Sequence, residues 1–306
     1  MSFKEHPPQP EPSAPVHVPV LLESTLNVMQ PQLGESYLDL TAGYGGHAGA
    51  FLEVTKNFAE SYLVDRDERA IACLAPLEQK GAQLLHTDFL TAATQLAEKG
   101  EHFDIVLADL GVSSPQLDQA ERGFSFAQDG PLDMRMDRRQ DVSAETLVNT
   151  ARASELADII VRYGEEPKGF ADKIANAIVD ARPLHTTKEL ADLVKATYRG
   201  PWKKIHPATR TFQALRIAVN QELRQVEDLL PLLPSLLRPG GRVGIISFHS
   251  LEDRLVKRYF KEQHLAGYES ELSLLTKKPL DGATYDVHNP RSRSAKLRVA
   301  VKNKNK

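Results

Sequence analysis

A short apolar run delivers the chain into Asp39-Leu40-Thr41-Ala42-Gly43-Tyr44-Gly45-Gly46-His47, and 26 residues after Asp39 stands Asp65, at the end of a second run, Tyr62-Leu63-Val64. This spacing predicts a strand, a glycine turn and the start of a helix, then another strand with an acid at its tip. Bare glycine backbone lets a ligand approach closely, the helix start offers free N–H groups, and the acid accepts bonds from ribose hydroxyls. The layout is that of a nucleotide-type cofactor site on a parallel sheet.

The rhythm continues. Apolar, β-branched runs recur at 36–40, 61–64, 83–86 and 103–108, separated by segments of helical spacing, which predicts an α/β, doubly wound, mostly parallel sheet. Each run carries or precedes an acid: Asp39, Asp65, Asp88 and Asp109. Ligands of such sheets bind beyond the carboxyl ends of the strands, so the four acids are expected to ring one crevice.

After Asp109 the strand pattern stops for about a hundred residues and helical spacing replaces it. The apolar sets are Leu156/Ile159/Ile160/Tyr163, Phe170/Ile174/Ala177/Ile178 and Leu190/Leu193/Val194, the last opened by a Thr186/Glu189 capping box. An inserted helical subdomain is expected over residues 118–212. One longer helix is expected through Leu215, Val219, Leu223, Val226 and Leu230, then breaks at Pro231 and Pro234, a turn at Pro239-Gly240-Gly241 and a strand over 242–248. Candidates for the last two strands are 271–277 and 295–302.

Composition narrows the class. The 306 residues contain 38 Lys and Arg, 41 Asp and Glu and a single cysteine, Cys73. That excludes an internal disulfide framework and a multi-cysteine zinc site, and suits a reducing cytoplasm, with Cys73 expected as buried filler. No run has the length of a membrane span, and no His/Cys/acid spacing makes a metal site. Residues 1–16 are proline-rich and are expected to form a flexible arm. Two blocks are basic without an acid: Tyr198 to Arg216, where Arg199, Lys203, Lys204, Arg210 and Arg216 mix with Tyr198, Trp202 and Phe212, and Arg291 to the end. Aromatics among cations suit single-stranded RNA, while the terminal block also reads as a solvated tail.

Gly43-Tyr44-Gly45-Gly46-His47-Ala48 fits the dinucleotide pattern G-x-G-x-x-[GA], so a dinucleotide-dependent oxidoreductase is a rival. Asp39 before the glycines, Asp88-Phe89 at the third strand end and the helical insertion after the fourth favour S-adenosylmethionine. Longer motifs go further: Asp109-Leu110-Gly111-Val112-Ser113-Ser114-Pro115-Gln116, Ala120-Glu121-Arg122-Gly123-Phe124-Ser125-Phe126, Asp129 to Asp137, HPATRTFQALR from His206 and SFHSLEDR from Ser247. From about His17 to the last strand the chain closely resembles the small-subunit ribosomal RNA methyltransferase H family, the MraW type.

The resemblance implies a class I S-adenosylmethionine-dependent methyltransferase fold, with residues 17–117 and 213–306 as the methyltransferase domain around the insert. It implies N4-methylation of a cytosine, position 1402 in the standard numbering of 16S ribosomal RNA, on the RNA or the ribosomal particle. Carried over by motif, Gly45, Gly46, His47, Asp65, Phe89, Asp109 and Gln116 hold the cofactor. Thr41 replaces the usual first glycine, and Asp109 to Ser114 stand where many amino-methyltransferases have Asn-Pro-Pro-aromatic. Asp109, Ser113 and Ser114 are the candidates for bonding the amine hydrogens, with turn capping as the serines' rival use. His249 offers a proton acceptor, a contact with the RNA or a structural hydrogen bond, and Phe124 and Phe126 either a stacking surface for an extruded base or core packing. An RNA-binding module with a vestigial cofactor pocket is the third function class.

Overall fold

In the computed structural model, residues 19–201 and 205–304 are described; the 1–16 arm, Trp202, Lys203 and Lys204 lie outside the described residues. The strands are β1 Tyr37–Asp39, β2 Tyr62–Asp65, β3 Gln83–His86, β4 Phe103–Asp109, β5 Leu237–Ser247, β6 Leu272–Leu274, β7 Leu280–Asp281 and β8 Lys296–Lys302. They form one sheet in the order β3-β2-β1-β4-β5-β8-β6, with β7 also on β8. The first five strands run parallel, and β8 is antiparallel to β5, β6 and β7. The sheet is doubly wound, as the alternation of runs and helices requires. Order reverses between β1 and β4, which opens a crevice at their carboxyl ends. The central strands are nearly all apolar and buried on both faces, so Leu38, Leu63, Ile105, Val106, Leu107 and Ile245 are sealed by helices on either side.

A second apolar core lies among helices of the segment after β4. Val148, Leu156, Ile160, Ile174, Ile178, Leu190 and Val194 meet there. The three expected amphipathic helices are Ala153–Gly164, Lys168–Asp180 and Thr187–Thr197. Thr186 caps the last of them: its Oγ1 accepts from Glu189 N, and its own N–H donates to Glu189 Oε2 at 2.9 Å. Phe212, Leu215 and Val219 of the helix Thr209–Asn220 belong to the same core, which therefore extends past residue 212.

Several expectations are corrected. The single long helix is two, Thr209–Asn220 and Glu222–Leu229, because Gln221 adopts a left-handed conformation with φ 52° between them. Pro231 and Pro234 stand at the first positions of short helical turns, where a missing N–H costs nothing, so they continue the path instead of ending it. Pro239-Gly240-Gly241 lies within β5 as an irregularity: Phe103 pairs with Leu237, but Ile105 pairs with Arg242. Cys73 is exposed, at the end of the helix Glu68–Cys73, and is not core filler. Much of the terminal basic block is tied down among the described residues. Arg291 pairs with Asp118, Lys296 and Arg298 both pair with Asp253, and Lys302 donates to the carbonyls of Pro234 and Leu237.

Candidate active site

A cavity of about 730 Å³ opens at the carboxyl ends of β1, β2 and β4. The turn after β1 forms one side. Gly45, at φ 82°, is the N-cap of the helix Gly46–Thr55, a left-handed conformation that favours glycine. A Cβ on Gly46 would stand 2.3 Å from Pro19 Cγ, so only glycine lets the two segments meet. Asp65, at the tip of β2, accepts from Gly43 N at 2.9 Å and from Asp67 N at 2.8 Å. Those bonds fix the carboxylate and leave lone pairs toward the cavity it lines. Burial raises its pKa, against the lowering effect of the two N–H groups.

Asp39 is buried behind the turn. It accepts from Tyr37 Oη at 2.7 Å and from Thr41 N at 3.1 Å. Desolvation pushes its carboxyl up to about 7, although the Tyr37 and Thr41 bonds pull the other way. Thr41, in place of a glycine, ties two strands together, since its Oγ1 accepts from Asp109 N at 2.6 Å and so joins the ends of β1 and β4.

Asp109 ends β4 and lines the cavity. Its Oδ2 lies 3.6 Å from His47 Nε2, and its Oδ1 is buried with no hydrogen-bond partner among the described residues. Burial first, then the charges of Asp39 and Glu252, hold its carboxyl well above the usual carboxylate range. No lysine or arginine forms an ion pair with Asp39, Asp65 or Asp109 among the described residues. An orphaned carboxylate oxygen at the mouth of a strand is costly unless a ligand completes it.

After β4, Ser113 is the N-cap of the helix Ser114–Asp118. Its Oγ accepts from Gln116 N at 3.4 Å, and Gln116 Oε1 accepts from Ser113 N at 3.0 Å. The capping use of Ser113 is therefore real, and among the described residues its hydroxyl hydrogen has no acceptor. Ser114 is buried and lines the cavity. Gln116 also gives Nε2 to Asp67 Oδ2 at 2.9 Å.

Asp67 escapes a reading of the sequence, because nothing in its spacing marks it. It is buried, caps the helix Glu68–Cys73 and accepts from Arg122 Nη1 at 2.6 Å. Arg122 is equally buried and donates onward to the carbonyls of Arg135 and Met136. The pair ties the β2 edge to the segment that follows β4.

Phe89 is buried at the start of the helix Phe89–Glu98 and lines the cavity. Asp88 does not join it: its carboxylate caps that helix through Thr91 N at 2.9 Å and Thr91 Oγ1 at 2.7 Å. Of the four strand-end acids, Asp65 and Asp109 reach the cavity wall. Phe124 is buried in the second core, the packing use foreseen for it, while Phe126 is half-buried and packs against that core beside Phe212 and His206.

The far wall carries a network of charge. Arg216 Nε and Nη2 donate to Glu222 Oε1 and Oε2, both at 2.9 Å. His249 caps the helix Ser250–Leu265, and its Nε2 lies 3.2 Å from Oε1 of Glu252, whose Oε2 accepts from Phe248 N at 2.8 Å. Of the uses foreseen for His249, the structural contact is present. Potential ligand atoms of Glu222, His249 and Glu252 lie within 4.8 Å of one another, a cluster that sequence spacing did not reveal. Both carboxylates already face Arg216, His249 or backbone N–H groups, which makes the group a charge network of the wall.

The arrangement suits a small cationic ligand on the acid side and a polar planar group against the charge network. The MraW methylase family matches residues 14–303. The chain belongs to the MraW methylase family. Among similar proteins, "Ribosomal RNA small subunit methyltransferase H" of Cyanothece sp. is 48% identical, over 93% of this chain and 94% of that protein. The protein of the same name from Lawsonia intracellularis is 45% identical, over 94% of this chain and 99% of that one. With this family goes the class I methyltransferase fold, whose sheet the order and directions of β1 to β8 describe. The oxidoreductase and the RNA-binding module gain no support from it. In this MraW chain no helix among the described residues is long and apolar enough to cross a membrane.

Proposed function

We propose that this protein is an S-adenosylmethionine-dependent methyltransferase that modifies N4 of a cytosine in small-subunit ribosomal RNA, at position 1402 in the standard numbering, in the cytoplasm. The observation that carries it is Asp109 at the mouth of β4, which lines the cavity and whose buried Oδ1 has no hydrogen-bond partner among the described residues, in a chain whose relatives bear a ribosomal RNA methyltransferase name. The residues fit the cofactor: Gly45 and Gly46 line the cavity with bare backbone, Asp65 would accept from ribose hydroxyls, Phe89 would offer its ring to the adenine, and Asp109 would face the cationic end. Gln116 acts mainly through Asp67 and Ser113, and His47 through its contact with Asp109. Residues 118–212 form the inserted helical subdomain in this reading.

S-adenosylmethionine, when bound, supplies an electrophilic methyl group. A cytosine amine is a weak nucleophile because its lone pair is delocalised into the ring, so this chain must position it, and positioning lowers such barriers by roughly 7–11 kcal/mol in favourable cases. Asp109 accepts one amine hydrogen, which localises the lone pair, and takes up the proton released when N4 is methylated; its raised pKa suits that uptake. Ser113 Oγ, with Ser114, flanks the acceptor position. Incubating the protein with labelled S-adenosylmethionine and either naked small-subunit RNA or assembled particles tests the reading. Transfer of one methyl to N4 of cytosine is expected, and no transfer to either substrate would overturn it.

A further inference from the structure

Gln213 and Arg216 lie one turn apart on the helix Thr209–Asn220, and both line the cavity. Arg216 is held as few exposed arginines are. Its side chain is 15% exposed, and its Nε and Nη2 meet both oxygens of Glu222, itself 5% exposed. Glu222 reaches back to it because the helix breaks at Gln221. A two-point fork of this kind fixes the plane of the guanidinium as well as its position. What remains is the opposite edge. Nη1 has no hydrogen-bond partner among the described residues, and Nη2 keeps its second hydrogen. Arg122 gives Nη1 to Asp67 and Nη2 to two carbonyls, and its remaining Nε is buried inside the protein, whereas Arg216 presents unspent donors in the wall of the cavity.

We propose that this edge of Arg216 reads the acceptor edge of the target base, donating to N3 and O2 of cytosine. The inference rests on the methyltransferase reading above and adds the residue that selects the base. Cytosine presents a ring-nitrogen lone pair and a carbonyl side by side, which two in-plane N–H donors match. Uracil presents an N3–H at the same place, so a fixed, permanently charged donor meets another donor and one bond becomes a repulsion. The contact leaves the N4 amine outside the guanidinium and available to the acceptors at the end of β4. Glu222 is then a positioning residue, acting through Arg216.

Replacing the target cytidine by 3-deazacytidine tests this, since that base keeps the N4 amine but carries C–H in place of the N3 acceptor. On whichever substrate wild type methylates, RNA fragment or reconstituted particle, kcat/KM is expected to fall about 10- to 100-fold with the analogue, the loss of one charged hydrogen bond. Arg216→Met, which removes both donors, should lose at least that factor on native RNA, and replacing native RNA by the analogue should then cost this variant nothing further. Calorimetry with S-adenosylmethionine and thermal melting report whether the variant is folded; should it not be, Arg216→Lys, which keeps the charge but not the fork, takes its place. Losses that multiply in the variant, or full wild-type activity on the analogue, would overturn the assignment. Failure of wild type to methylate native RNA at all would instead remove the methyltransferase reading beneath it.

Discussion

Along the sheet edge of the cavity, Asp39 and Asp65 are held by backbone N–H groups and a tyrosine, and Asp109 lies 3.6 Å from a histidine, without a lysine or arginine bonded to any of them among the described residues. Elsewhere around the cavity every buried acid has a partner: Glu222 with Arg216, Glu252 with His249, Asp67 with Arg122. The first arrangement raises carboxyl pKa values and costs stability until something cationic arrives. The second builds a rigid wall. Removing charge should therefore have opposite consequences on the two sides.

The largest effect is expected on the paired side. Arg122→Leu strands Asp67 in the interior and should cost about 3–5 kcal/mol of stability, since breaking a buried pair leaves an uncompensated charge. Denaturant titration measures it. A change below about 1 kcal/mol, the worth of an exposed pair, would mean that the two sides do not differ as described. Asp109→Ala, on the unpaired side, should keep or gain stability while turnover falls roughly 10²- to 10³-fold, the scale of losing one preorganised polar contact in a transition state. Single-turnover methyl transfer and melting curves on the same preparation separate the two quantities.

Asp39 sharpens the contrast through pH. Its carboxyl holds a proton up to about 7 in the folded protein, against an ordinary value of 3.8. The folded state then binds more protons than the unfolded one between those values, so stability falls as pH rises from about 4 through 7, by a few kcal/mol at most. Asp39→Asn should flatten that slope; an unchanged pH profile of the melting temperature would show that Asp39 is not the group responsible. A smaller effect is expected at Asp65, where Asp65→Ala should weaken S-adenosylmethionine by about 1.5–3 kcal/mol, the worth of a charged acceptor. Unchanged affinity by calorimetry would remove Asp65 from the site.

What was legible in the sequence follows the same division. Strand ends, glycine turn and capping box are local features with short spacings, and Asp65, Phe89 and Asp109 line the cavity where the alternation of strands and helices put them. The pairs that build the opposite wall are tertiary. Asp67 and Arg122 are 55 residues apart, and no period links them. Arg216 reads as one cation of an RNA-facing block, but the helix break at Gln221 turns Glu222 toward it, and a left-handed glutamine has no sequence signal. Asp88 shows the reverse error, since a strand-end acid followed by a helix is also an N-cap, and the cap prevailed. Phe124 was drawn into the second core by its demand for apolar volume, with Phe126 half-buried against it.

The most direct test of the whole account is nucleoside mass spectrometry of small-subunit RNA after incubation with this protein and S-adenosylmethionine. One N4-methylcytidine is expected, formed roughly 10²- to 10³-fold more slowly with Asp109→Ala. Methylation at a ring carbon, a reaction that calls for a cysteine nucleophile, would contradict it, since the chain's single cysteine, Cys73, lies exposed and outside the cavity lining.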